Sequence, residues 1–250
     1  MKSLWIALLL MVSVVPAVAS DHANLEENLP TELEDAYPIK FRSREFQGIV
    51  RYIDEGDKQH RMVYQPIFEF GIFPNTQMNI AGEFYSGNTD REGSGDVSTE
   101  LFYNFNMESL WFPATALAVK AEFPTGEDSR GVDVTTKLIL SKMPFVRSTL
   151  HHRVHANLIW THNGGRERGK ERSDLFKGIF GVSMRAGKDT TFILDYVREQ
   201  KEEKHKDSNV VEAGFRRQLT PFTLATLGAG AGIGDDSEKY RVTVGFQHTF

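Results

Sequence analysis

Beyond residue 43 the chain alternates. Large apolar side chains recur at every second position in segments of about ten residues, with polar or small residues between them and polar turns separating the segments. The last segment is the cleanest: Tyr240, Val242, Val244, Phe246 and Phe250 mark one face, while Arg241, Thr243, Gly245, Gln247 and Thr249 mark the other, and only His248 interrupts the row. The same pattern sets Phe176, Phe180, Val182 and Met184 against Lys177, Ser183 and Arg185, and Leu150, Val154, Ala156, Leu158 and Trp160 against His151, Arg153, His155 and Asn157. The alternation predicts strands over 44–54, 60–72, 76–86, 96–106, 112–123, 130–142, 147–162, 173–186, 189–199, 208–219, 222–233 and 238–250. Two places strain it. Pro66 deletes a ladder donor, which calls for a bulge or a later strand start, and Gly228, Gly230 and Gly232 weaken the eleventh strand while relieving crowding on its inner face.

One face of every strand is oily and the other charged. In hydrocarbon all backbone polar groups must pair internally, so a sheet with an oily outside has to close on itself. The connections after odd strands are charged and mostly long (54–59, 86–95, 125–130, 163–172, 200–207, 234–237), and those after even strands are mostly tighter (73–75, 186–188, 220–221). Such sorting fits a barrel with short periplasmic turns and long outer loops. The expected fold is all-β: a single transmembrane antiparallel up-and-down β-barrel of about twelve strands, or ten if the first two fail to close. An even strand number leaves both barrel ends of the chain in the periplasm. Arg217 and His152 then lie toward the periplasmic rim and Arg198 toward the outer rim, where long side chains reach water.

Alternation assigns fifteen charged residues to the lumen: Arg51, Glu69, Glu83, Glu100, Lys120, Glu122, Asp133, Lys137, Arg153, Lys177, Arg185, Asp195, Glu212, Arg216 and Arg241. Acid and base are nearly balanced. They either neutralise one another in a network that stiffens the barrel or line a solute path.

Residues 1–19 read as a signal peptide: Lys2, an apolar run from Leu4 to Val18, and an Ala17-Val18-Ala19 cleavage site. Residues 20–43 do not alternate, carry Pro30 and Pro38, and are acidic, as expected of a periplasmic lead-in or a small plug; residues 44–250 form the barrel. Nothing past the leader reaches 18 consecutive apolar residues, which excludes membrane-spanning helices. Cysteine is absent, and disulfides, thiolate nucleophiles, lipid acylation and thiolate metal sites are absent with it. The formal charge of -5, with both signs interspersed, argues against nucleic acid as a partner.

The stretch Ala121-Glu122-Phe123-Pro124-Thr125-Gly126 with Gly131-Val132-Asp133-Val134 resembles the family of the MetA pathway of phenol degradation, whose members carry a Pro-Thr-Gly turn at a strand end. Leu150-His151, the run Val154 to Leu158, Gly228 to Asp235 and Tyr240 to Phe250 are similar to its later strands, and Leu29-Pro30-Thr31 with Asp35-Ala36 to its lead-in. The resemblance implies an outer-membrane, transporter-like barrel of Gram-negative bacteria linked to hydrophobic or aromatic compounds, with no catalytic residues. Tyr240, Val242, Val244, Phe246 and Phe250 also resemble the last-strand signal read by the barrel-assembly machinery. The expected partners are outer-membrane lipids and lipopolysaccharide, that machinery and a small-molecule solute, with no cofactor.

Two readings with chemistry compete. An outer-membrane phospholipase places a His followed closely by Ser at its rim; here His162 is followed by Asn163, Gly164 and Gly165, and the nearest serine, Ser173, lies beyond a charged loop. His151 and His155 share a face but stand on the order of 13 Å apart, too far to share an ion, so His155 reads as a polar lumen residue. Carboxylates at Glu127 and Asp128 could bind a divalent ion or lipopolysaccharide, or be solvated. A soluble ligand-holding barrel would turn its aromatic rows inward, against the pattern seen.

Overall fold

A computed structural model describes residues 22–89, 92–127, 129–144, 152–165 and 170–250 of the chain. The expected signal peptide, His151 and Asp128 lie outside these. Twelve strands follow in order: β1 (Arg44–Gly56), β2 (Gln59–Phe73), β3 (Thr76–Gly87), β4 (Gly93–Asn106), β5 (Ala114–Phe123), β6 (Asp133–Lys142), β7 (Arg153–His162), β8 (Asp174–Arg185), β9 (Thr190–Gln200), β10 (Asp207–Thr220), β11 (Thr223–Gly232) and β12 (Tyr240–Thr249). Each pairs antiparallel with its neighbours in sequence, and β1 pairs with β12 from Glu45↔Thr249 to Asp54↔Tyr240, which closes the barrel. The ten-strand alternative is thereby ruled out.

Closure explains the two-faced sequence. Every strand puts a large apolar residue outside near its middle: Val50, Phe68, Ile80, Leu101, Val119, Leu138, Leu158, Phe180, Tyr196, Phe215, Leu227 and Val244, each 36–61% exposed. A continuous apolar surface of this extent is untenable in water and is the surface that lipid requires. The inner face is polar and buried, with Gln47, Glu69, Lys137, Asp195, Arg216 and Arg241 all 3% exposed or less.

Three expectations need correction. β5 begins at Ala114, later than the alternation suggested; of the expected start of β7, residues 147–151 lie outside the described residues. The loop sorting is partial: β1 and β2 join through Asp57 and Lys58 alone, whereas the connections 107–113 and 143–152, at the end of the barrel where β1 starts (the near end), are long. The short turn is possible because Asp57 and Lys58 both adopt positive φ (48° and 67°), which suits the twist of a tight hairpin. Finally, Pro66 makes neither a bulge nor a late start. β2 runs through it, pairing Pro66 with Gly48, and the β2–β3 register is the same on both sides of it, from Tyr64↔Phe84 to Ile67↔Ala81. The ring faces outward level with Gly82, where a Cβ would meet no atom within 4 Å, so the missing N–H is accommodated without shifting the strands.

Of the two readings of the N-terminal segment, a lead-in or a plug, its position fits the plug: Leu25, Leu29, Thr31, Leu33, Asp35 and Ala36 lie inside the barrel, all 1% exposed or less, while Lys40, Phe41 and Arg42 are exposed at the near end.

Candidate functional site

The N-terminal segment is re-entrant. His22 bonds Gln218 of β10 at 3.2 Å and the Ile39 amide bonds Gln77 of β3 at 2.8 Å, both at the near end, while Glu32 reaches into the far half among Arg51, Lys177 and Arg241. The loop is braced across its base, where the Leu25 and Asp35 backbones bond at 3.1 Å and the Leu25 amide also donates to Asp35 Oδ2 at 3.1 Å. A buried irregular segment must satisfy its backbone by other means than a ladder, and here the wall does it side chain by side chain. The amides of Glu32, Leu33, Glu34 and Ala36 donate to Glu212 (2.9 Å), Asp195 (3.2 Å), Asn157 (3.0 Å) and Ser141 (3.0 Å) on β10, β9, β7 and β6. Carbonyls of Leu29, Glu34 and Ala36 accept from Arg216 (2.9 Å), Asn157 (2.8 Å) and Asn104 (2.6 Å).

Two ion clusters tie the segment down. Lys137 lies at mid-barrel and contacts three carboxylates: Glu100 of the wall at 2.7 Å, and Glu27 and Glu34 of the segment at 2.8 and 3.1 Å. In the far half the Glu32 carboxylate meets Arg241 at 2.5 Å, Arg51 at 3.5 Å and Lys177. The same cations also face wall acids, since Arg241 pairs with Glu212 (2.7 Å) and Glu238 (3.2 Å) and Lys177 with Glu199 (3.6 Å). Buried ions survive only when so paired.

The wall is shaped to receive the segment. A Cβ at Gly228 would lie 2.6 Å from the Pro30 carbonyl oxygen, and one at Gly181 2.8 Å from Leu33 Cδ2; at Gly214 and Gly245 it would collide with Pro30 and Leu29. Backbone and plug approach too closely for any side chain at these four positions. The leucines find an apolar patch within an otherwise polar lumen, for Leu25 and Leu33 pack against Ile159, Ile179, Ile193, Val197 and Val210. Ala36 and Tyr37 pack on Phe102, Ala114, Ala116, Ala118 and Ile139.

Cavities remain above and below. The far one, of about 470 Å³, is lined mainly by carboxylates, among them Glu83, Asp96, Glu122, Glu127 and Asp133, with Arg130. The near one, of about 530 Å³, lies between Asp35, Tyr37, Ile39, Asn104, Arg153 and Gln247. They share no lining residue: the segment lines the near one, and a smaller cavity of about 190 Å³ beside Asn28, Arg51 and Gln65 borders the far one at Glu83 and Tyr85.

The structure thus brings most of the charged residues expected in the lumen onto one inner surface. Arg51, Glu69, Glu100, Lys137, Lys177, Asp195, Glu212, Arg216 and Arg241 surround the segment, Glu83, Glu122 and Asp133 face the far cavity, and Lys120 is paired to Glu122 at 3.0 Å. Arg153 stands at the near rim over the Tyr37 ring, 5.0 Å from its centroid. Arg185 does not join them: it is exposed at the near end and bonds the Gly187 carbonyl at 2.9 Å, because the strand ends there and leaves no wall to enclose it. Alternation on uncharged residues would have added Gln47, Gln77, Asn104, Ser141 and Asn157; the segment's own Glu27, Glu32 and Glu34 carry no such local signal.

The histidines resolve differently. His155 is buried between Ser141 Oγ (2.8 Å) and Ser183 Oγ (2.9 Å), and among the described residues no group of three or more His, Asp or Glu could hold a metal ion. His162 bonds Asp174 at 3.2 Å, and Ser173 Oγ bonds that same aspartate at 2.7 Å. The carboxylate therefore sits between the serine and the imidazole, the reverse of the order in which a base activates a nucleophile.

An outwardly apolar, inwardly polar, closed twelve-stranded barrel is the architecture of outer-membrane β-barrels. Solved structures of that kind match it: the COG4313 outer-membrane channel of Pseudomonas putida F1, with a TM-score of 0.61 over 86% of this chain and 98% of its own at 10% identity; the NanC porin, 0.59 over 83% and 100% at 12% identity; and the KdgM porin in complex with disordered oligogalacturonate, 0.55 over 83% and 99% at 10% identity. At these identities the likeness is one of fold. No family model and no curated protein sequence matches the chain.

Proposed function

We propose that this chain is a passive channel or transporter of the bacterial outer membrane for small solutes, closed in its resting state by residues 22–43. In this reading the near end faces the periplasm, the far end faces outward, and export depends on the N-terminal leader. The observation that carries it is a lumen occupied by a segment that is attached to the wall through polar contacts and close-packed glycines, with a cavity toward each end of the barrel. A segment that enters and leaves by the same end can withdraw without passing through the wall, which a core element cannot.

The finer part of the reading, solutes of hydrophobic or aromatic character, draws on the resemblance to the MetA-pathway family and on the inward aliphatic patch of β7 to β10. No catalysis and no cofactor belong to it. Lipid, lipopolysaccharide and the assembly machinery, through Tyr240 to Phe250, are the proposed partners.

Single-channel recording in planar bilayers tests the proposal. Infrequent openings are expected from the full chain and a raised open probability from Glu32→Gln. Silence from both, with no solute-uptake defect on deletion, would favour the second reading, a structural barrel whose charge-filled lumen serves only rigidity, which the Lys137 cluster favours.

A further inference from the structure

The wall opposite Glu32, Leu33 and Glu34 meets all three backbone amides and all three side chains of those residues. Their successive amides each have an acceptor on a different strand, Glu212, Asp195 and Asn157, and Asn157 Nδ2 also donates to the Glu34 carbonyl. Their side chains are matched as well. Arg241, Arg51 and Lys177 take the first carboxylate, Lys137 takes the second at 3.1 Å, and between them Leu33 enters the aliphatic patch. Packing alone would need only shape. Here backbone direction, two charges at fixed spacing and one aliphatic side chain are all specified, as in recognition of an extended peptide. A second observation marks the Glu32 end as incompletely satisfied by its tethered occupant: Arg51 Nη2 and Arg241 Nη2 are buried donors without a hydrogen-bond partner, Glu32 Oε2 has only its ion pair with Lys177, and Arg241 is 3% exposed.

We propose that this surface is a binding site for a short, extended peptide with an aliphatic residue between two carboxylates, that Glu32-Leu33-Glu34 is its tethered occupant, and that such peptides open the lumen by replacing it. The inference deepens the channel reading and rests on it for the consequence, though not for the binding. A tethered occupant acts at an effective concentration on the order of millimolar, so free peptide competes in that range when its contacts are equal.

The test uses the full chain, purified and folded in detergent, with one nitroxide label at Asn24→Cys; the chain has no other cysteine. The probes are acetyl-Glu-Leu-Glu-amide and its uncharged counterpart acetyl-Gln-Leu-Gln-amide, titrated by calorimetry and by label mobility. On the Glu32→Gln/Glu34→Gln variant the acidic peptide is expected to bind about tenfold or more tightly than the uncharged one, the ratio for loss of charge-assisted hydrogen bonds, and to mobilise the label. Equal binding of the two peptides, or no binding of either, overturns the proposal. If the double variant does not fold, Leu33→Ser vacates the aliphatic pocket and keeps the charges; the same comparison on it, with the same two outcomes, decides. Conductance measured on the same preparations separates the two claims. A variant that conducts but ignores peptide refutes this inference and leaves the channel, whereas peptide binding by a silent barrel refutes the channel and leaves the site.

Discussion

Gly228 of β11 faces Pro30 so closely that a Cβ there would stand 2.6 Å from the Pro30 carbonyl oxygen. Backbone cannot yield as a flexible side chain does, so Gly228→Val must move the N-terminal segment or distort the strand. The segment lacks ladder bonds and will move. The variant is expected to weaken docking by about 1–3 kcal/mol, the usual cost of overpacking, and to mobilise a label at Asn24 while the barrel keeps its resistance to heating in detergent. Gly178 is the control: it faces outward with no atom within 4 Å of the added Cβ, and Gly178→Val should change stability by less than about 0.5 kcal/mol. A mobile label in the control, or an unmoved one in Gly228→Val, would contradict the packing described.

Lys137 is 1% exposed and holds Glu27, Glu34 and Glu100 within 3.1 Å. Lys137→Met leaves three carboxylates around an apolar side chain, and stranding buried charge costs about 3–5 kcal/mol. Urea unfolding in lipid vesicles should show that loss, and adding Glu34→Gln and Glu100→Gln should recover a large part of it. Full stability in the single variant would mean that the cluster is hydrated and open.

How far the sequence could be read follows from range. Period-two alternation is local, and it placed Val244 outside and Arg241 inside because those orientations depend only on the neighbours along one strand. It misplaced Arg185 because the pattern states a face and not whether a wall continues past the strand's end. Residues 20–43 were legible as irregular and acidic, but whether they lay below the barrel or inside it depends on partners more than a hundred positions away: Glu32 with Glu212, Leu33 with Asp195, Glu34 with Asn157. The glycines of β11 carried the information in a form only the fold decodes, since a gap on the inner face is meaningful once something fills it.

Position along a strand should set the cost of a charge on the outer face. Val244 lies midway along β12 and is 52% exposed to the lipid side, whereas Phe250 follows the strand's last residue. Val244→Arg is expected to destabilise the barrel by about 2–4 kcal/mol and Phe250→Arg by about 0–1 kcal/mol in vesicles. Equal costs would show that the apolar band is not centred on β12 as drawn.

The strongest test concerns which side chains meet lipid. Single cysteines at Val242 and Phe180 stand on the outer face, 36% and 61% exposed, while the Lys177 side chain is 22% exposed toward the far lumen and that of Arg241 4%, beneath Glu32. In vesicles a membrane-impermeant maleimide should therefore leave positions 242 and 180 unmodified and modify position 177 from outside. Position 241 should stay protected until the N-terminal segment is loosened, so combining Arg241→Cys with Gly228→Val should raise its labelling rate severalfold. Lipid-borne quenchers should give the inverse order, reaching fluorophores at 242 and 180 and missing those at 177 and 241. Aqueous labelling at Val242 or Phe180 in the folded protein would place water where the fold requires acyl chains, and the inside-outside assignment on which the channel, the plug and the peptide site depend would have to be reversed.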